Sequence, residues 1–326
     1  MIKKFFKDHP IHKKIVPHLD LFYFLQPMKL FSIWIMVCIG MYLALFVQGY
    51  SPQFISNFNY KVLFLFSGIS MISCSFYIQE QIDDSNDNIV LSYINKKHSN
   101  QFINSFYKIF LCTGVVVLIF VNWVNCTIGL LLILLNQYLL KKRSYFTIDD
   151  RYIHLIHGLF IAVLMFASGW GYINVEYGYK FFNTNLIFLL IPYLFIYISI
   201  FFIVDILNFL ESNNSGFINS PSNIKKNTFL ICVCIFTGFV VALNSNDPLA
   251  SISIITSFPF FLYALVRSMK KDFQRAFMYP LGILIFFSVT IFPYLFIGCF
   301  LVFYLSKYYN WHRFNIHSPT FLVEND

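Results

Sequence analysis

Gln79, Asp83 and Asp87 recur at every fourth position in the run Phe76-Tyr-Ile-Gln-Glu-Gln-Ile-Asp-Asp-Ser-Asn-Asp87. On a helix that spacing stacks the three on one face. They close an apolar stretch, and carboxylates gathered at such a boundary call for a metal or another cation. A second oxygen-rich run, Ile203-Val-Asp-Ile-Leu-Asn-Phe-Leu-Glu-Ser212, also ends an apolar stretch. There Asp205, Asn208 and Ser212 share a face, and Glu211 lies off it. Magnesium is a hard ion that is typically held by one or two carboxylates together with substrate phosphates. Two such runs on one side of a membrane therefore suit Mg²⁺ bound against a diphosphate. Lys141, Lys142, Arg143 and Arg151 are the candidates for clamping the phosphates, with Arg267, Lys270, Lys271 and Arg275 behind them.

Plainer readings exist for each feature. Charged residues at helix ends also serve simply to stop a helix in the headgroup region. Basic loops follow from membrane topology alone. His154 and His157, three residues apart, lack a third ligand and read as boundary or pore-lining residues.

The elements that must position these residues are membrane helices. The 326-residue chain is 58% hydrophobic and only 12% charged, with a mean hydropathy of +0.66, which excludes an ordinary soluble domain. A spanning helix needs about 20 apolar residues. Nine stretches qualify, at roughly 21–48, 60–82, 102–121, 123–140, 153–173, 184–205, 228–245, 248–267 and 277–306. Pro280 and Pro293 predict a kink in the last. The first follows a basic segment and has no small-residue cleavage site, so it reads as a retained helix. The seven cysteines all fall in apolar stretches without a Cys-x-x-Cys and read as small buried hydrophobes. Trp170, in Ser168-Gly-Trp170-Gly, reads as an interface anchor or a packing element.

With nine crossings, the side holding residues 1–19 and the longer polar loops carries nineteen basic residues. The other side carries four: Lys61, Lys180, Lys307 and Arg313. That bias predicts a cytosolic N-terminus and a C-terminus on the outside. The net charge of +8 then reflects topology and contact with anionic lipids, and nothing resembles a nucleic-acid module. No linker or domain-sized insertion interrupts the pattern. The expectation is one transmembrane domain over 1–326, with 1–19 as a basic cytosolic arm.

Taken together, the chain resembles the UbiA superfamily of intramembrane prenyltransferases over nearly its whole length. The run ending in Asp83 and Asp87 resembles that family's first aspartate motif, with Gln79 in place of the usual Asn. Asn136-Gln-Tyr138-Leu-Leu-Lys-Lys142-Arg-Ser is similar to its Tyr-Pro/Ser-x-x-Lys-Arg stretch. His157 to Trp170 looks like the family's fifth helix. Asp205-Ile-Leu-Asn208-Phe-Leu-Glu-Ser212 stands where its second motif, Asp-x-x-Asp-x-x-x-Asp, belongs. Tyr308-Tyr-Asn-Trp-His-Arg313-Phe-Asn-Ile-His-Ser-Pro319 resembles an ending found in some bacterial members.

The resemblance implies an all-α membrane fold of about nine helices around a central cavity, in a bacterial inner (cell) membrane. It implies Mg²⁺-dependent transfer of a prenyl group from a prenyl diphosphate to a lipophilic or aromatic acceptor. Asp83, Asp87 and Gln79 would serve one metal, and Asp205 with Asn208 the second. Departures stand beside the matches: Asn208 and Ser212 replace two carboxylates of the second motif, and Gln26-Pro27 stands where many members have Arg-Pro. Two other readings therefore remain: cyclisation of a prenyl diphosphate without an acceptor, and a non-catalytic lipid-binding or transport protein on the same scaffold.

Overall fold

The computed structural model describes residues 10–49, 59–83, 100–142, 150–179, 186–212 and 221–315, and every regular element among them is helical. The helices are α1 (Pro10–Phe24), α2 (Leu30–Val47), α3 (Tyr60–Asp83), α4 (Asn100–Ile119), α5 (Trp123–Lys142) and α6 (Asp150–Tyr177). They continue with α7 (Leu186–Ser212), α8 (Pro221–Ser245), α9 (Pro248–Arg267), α10 (Lys270–Ile291) and α11 (Leu295–Phe314). Eight of them, α2–α4 and α6–α10, are long and apolar enough to cross a membrane. The apolar part of α5, Trp123–Tyr138, is shorter. Large apolar side chains such as Trp123, Leu134, Phe236 and Val266 stand exposed, a surface suited to acyl chains and not to water.

The stretch expected as one kinked helix over 277–306 is two helices. Pro280 is accommodated inside α10, whereas the chain breaks at Phe292-Pro293-Tyr294. Pro293 has no N–H to continue the ladder. The chain turns instead, with the Leu295 N–H donating to the Phe292 carbonyl and the Phe296 N–H to that of Pro293.

The helices group into two compact units. The first holds α1–α5, the Leu164–Tyr177 part of α6, and α11. Its closest helix contact is made by glycine. A side-chain carbon on Gly40 of α2 would strike the Phe166 carbonyl oxygen of α6, and one on Gly169 would strike that of Val37. Small residues at such crossings let two backbones touch. Gly68 of α3 and Gly114 of α4 make a similar approach.

Within this unit α11 runs between α3 and α1. Its leading turn begins beside α3, where Phe292 stacks on Phe66 at 5.4 Å between centroids. Its last turns end against α1. Arg313 Nη2 lies 2.7 Å from Asp20 Oδ2, the Tyr309 hydroxyl donates to Asp20 Oδ1 at 2.8 Å, and Tyr23 stacks on Tyr309 at 3.9 Å. Residues 308–313 therefore share a side with residues 12–20. This corrects the expectation that the chain's two ends lie on opposite sides. The turn at Pro293 separates α11 from α10, so the last apolar stretch doubles back where a single kinked helix would have carried on. Arg313, counted with the basic minority, stands beside Asp20 of the N-terminal helix.

The second unit holds the first part of α6 and α7–α10. Gly238 of α8 lets Phe195 of α7 and Ile254 of α9 pack close. Asp247 caps α9 by accepting the Leu249 N–H at 3.0 Å, and its other oxygen accepts the Tyr193 hydroxyl of α7 at 2.8 Å. Phe260 and Tyr279 join α9 to α10 at 4.7 Å between ring centroids.

Candidate functional site

The first polar run is positioned by the end of α3. The helix is continuous through Gln79 and terminates at Asp83, so these two do share a face, one turn apart. Asp87 lies outside the described residues. Gln79 Oε1 is buried and accepts no hydrogen bond. An orphaned acceptor in a dry interior costs on the order of 1–3 kcal/mol, so it marks a place where a donor or cation belongs. An amide oxygen is a hard donor of the kind magnesium takes, and Asp83 follows one helical turn later in the sequence.

The chain between α1 and α2 packs beside this helix end. Phe24, Ile78 and Ile103 form a buried apolar cluster that ties the end of α1 to α3 and α4. Just beyond Phe24, Gln26 takes a left-handed conformation (φ 48°, ψ 57°), which turns the chain into the 3₁₀ turn Pro27–Lys29. For a non-glycine residue that conformation costs roughly 1 kcal/mol or more and needs the surroundings to hold it. Here the Gln26 N–H donates to the Tyr23 carbonyl, and the Gln26 carbonyl accepts from Lys29. Gln26 Oε1 is also buried without a hydrogen-bond partner. The Lys29 ammonium sits 4.8 Å from the centroid of the Tyr77 ring, a cation–π contact two residues before Gln79. Burial pushes the Tyr23 phenol up to about 12.

The second polar run lies in the other unit. Asp205 does not end its helix as expected: α7 runs on to Ser212. Asp205 and Asn208 thus occupy helical positions within its last turns, and Asp205-Asn208-Ser212 is one continuous helical face. Lys141 and Lys142 are the last two residues of α5, and Arg151 the second of α6. Arg143 lies outside the described residues. Asn136, nearly two turns before the end of α5, is buried with its Nδ2 unbonded. Trp170 is a packing residue, 4% exposed and 6.2 Å from Phe166 between centroids. Among the described residues no three His, Cys, Asp or Glu side chains come together.

Two charged constellations escape sequence reasoning. One is Asp20 with Arg313 and Tyr309, where a buried carboxylate has both oxygens engaged from a helix nearly 300 positions away. The other is Asp272, buried between Arg267 (Nε to Oδ2, 3.5 Å) and Arg275 (Nη1 to Oδ1, 3.4 Å). The basic segment over 268–276, which reads from sequence as a loop, is mostly helix, with Ser268-Met269 between α9 and α10. Arg313 had a signal in the Tyr-Tyr…Arg-Phe tail; Asp20 and Asp272 had none. Comparison with protein-family profiles, with characterised proteins and with solved structures finds no match to this chain.

Proposed function

We propose that this chain is a magnesium-dependent intramembrane prenyltransferase that takes a prenyl diphosphate and a lipophilic or aromatic acceptor. The observation that carries the reading is the buried, unbonded Gln79 Oε1 one helical turn before Asp83 at the end of α3. The resemblance of the two polar runs and the Lys-Lys-Arg stretch to the UbiA superfamily supplies the reaction class. Gln79, Asp83 and Asp87 would hold one ion, and Asp205 with Asn208 a second.

When bound, magnesium supplies positive charge against the diphosphate and so favours its departure. The chain's own residues do the rest. Lys141, Lys142, Arg143 and Arg151 donate charge-assisted hydrogen bonds to phosphate oxygens and stabilise the charge that develops on the leaving group. The allylic C–O bond breaks with its electron pair on the diphosphate. The acceptor's carbon or oxygen forms the new bond and sheds a proton. Apolar helices exclude water, which would otherwise capture the allylic cation.

The test uses the full chain in nanodiscs with prenyl diphosphates of several lengths, following diphosphate release with Mg²⁺ and with EDTA. Asp83→Asn and Asp205→Asn should each lower Mg²⁺-dependent release at least about 100-fold. Full turnover in both variants would sink the assignment. Product analysis with the diphosphate alone separates a transferase, which needs an acceptor, from a cyclase. An absence of Mg²⁺-dependent release at every chain length would leave a lipid-binding or transport role, for which the Asn208 and Ser212 replacements argue.

A further inference from the structure

We infer that the turn joining α9 to α10 is a phosphate-binding site, built around Asp272 and formed by Arg267 and Arg275. Arg267 and Arg275 stood behind the diphosphate clamp expected from the sequence, but the inference rests on their geometry at Asp272 and not on prenyl transfer. α9 closes at Ser268, whose left-handed backbone (φ 51°) sends its N–H back to the Ala264 carbonyl. After Met269 the chain enters α10 at once, and the Asp272 N–H donates to the Met269 carbonyl. This tight connection brings the last residue of α9 and the first turns of α10 onto one carboxylate.

Asp272 is 2% exposed, with Phe273 and Ala276 beside it fully buried. One guanidinium contacts each of its oxygens, Arg267 at Oδ2 and Arg275 at Oδ1. Both contacts, at 3.5 and 3.4 Å, are longer than a good charge-assisted hydrogen bond. Each guanidinium has five N–H donors and spends little of that capacity here. A further one from Arg267 goes to Met269 Sδ at 3.5 Å, a weak acceptor. The arginine side chains remain 46% and 39% exposed, so solvent or a ligand has access to them.

The sequence of this turn is predominantly basic. Residues 267–275 carry Arg267, Lys270, Lys271 and Arg275 against Asp272 alone. Membrane topology accounts for basic residues at this position but not for a buried acid among them. A topological signal needs only charge, whereas burying a carboxylate carries a desolvation cost. What the buried acid adds is orientation: it holds two planar guanidiniums near one another with donors to spare. That arrangement matches the oxygens of a phosphate, which Arg recognises bidentately. At the end of two membrane helices the phosphate has two sources, the headgroup of an anionic phospholipid or a soluble diphosphate.

The experiment measures thermal unfolding of the detergent-purified full chain in EDTA. It is titrated in one arm with phosphatidic acid in mixed micelles, against phosphatidylcholine, and in the other with inorganic pyrophosphate. Stabilisation by phosphatidic acid alone assigns the lipid headgroup, and stabilisation by pyrophosphate as well assigns the soluble anion. In either case Arg267→Gln/Arg275→Gln should weaken the apparent affinity about tenfold or more. Should that variant fail to give a cooperative transition, Arg267→Lys/Arg275→Lys decides, because it keeps the countercharges of Asp272 and removes the planar forks. A loss of about threefold or more supports the site. Equal responses in variant and wild type, or no response in either arm, overturn it.

Discussion

Replacing Arg313 by Met should release α1 from α11. Asp20 is 3% exposed, and among the described residues its partners are the Arg313 guanidinium at 2.7 Å and the Tyr309 hydroxyl at 2.8 Å. Removing one member of a buried ion pair strands the other charge, at a cost of about 3–5 kcal/mol. Arg313 keeps some solvent access, its side chain being 21% exposed, which places the expected loss near the lower end, about 3 kcal/mol. A loss of that size raises the population with α1 detached roughly 100-fold. Lys14 lies exposed on α1, so tryptic nicking there reads the detached population when reclosing outpaces cleavage. Asp20→Asn/Arg313→Met removes both charges and leaves a neutral amide facing a thioether and the Tyr309 hydroxyl. It should recover about 1.5–3 kcal/mol relative to the sum of the single variants. Nicking of Arg313→Met within about threefold of wild type, or purely additive variants, would refute the claim that this pair anchors α1.

Two further outcomes follow from the packing. Gly169→Ala should destabilise the chain by at least about 1–3 kcal/mol, because the added methyl meets the Val37 carbonyl, which is backbone and cannot rotate away. Thermal unfolding in detergent measures it, and an unchanged transition contradicts the α2–α6 contact. Single cysteines at His18 and Asn315, introduced on a background with the native cysteines replaced, should both react with an impermeant maleimide from the same side of sealed vesicles. Labelling from opposite sides would restore the nine-crossing topology.

Much of the fold was legible in the sequence because a membrane makes simple demands. Each spanning backbone must satisfy its own hydrogen bonds, so apolar runs of sufficient length become helices. The apolar runs at 60–82, 102–121 and 248–267 match α3, α4 and α9 to within a residue or two. The face shared by Gln79 and Asp83 follows from helical period alone. The proline at 293 was visible too, but composition does not distinguish a kinked helix from two helices. Pro280 stays inside α10 while Pro293 ends it, because the chain at 292–294 has a stacking partner in Phe66 and turns there.

Types and spacing were thus properties of the sequence: nearly everything that depends on one helix and its solvent. Tertiary structure decided whatever requires two distant segments to meet. Arg313 and Asp20 are a single buried pair, although nothing local to either announces the other. Asp272 looked like a stray acid in a basic loop until α9 and α10 closed on it. Gln26 and Gln79 became informative only once packing removed water from their amide oxygens and left them without a donor. Hydropathy and helical period are local and additive, whereas desolvation of a polar atom is set by whichever helices surround it.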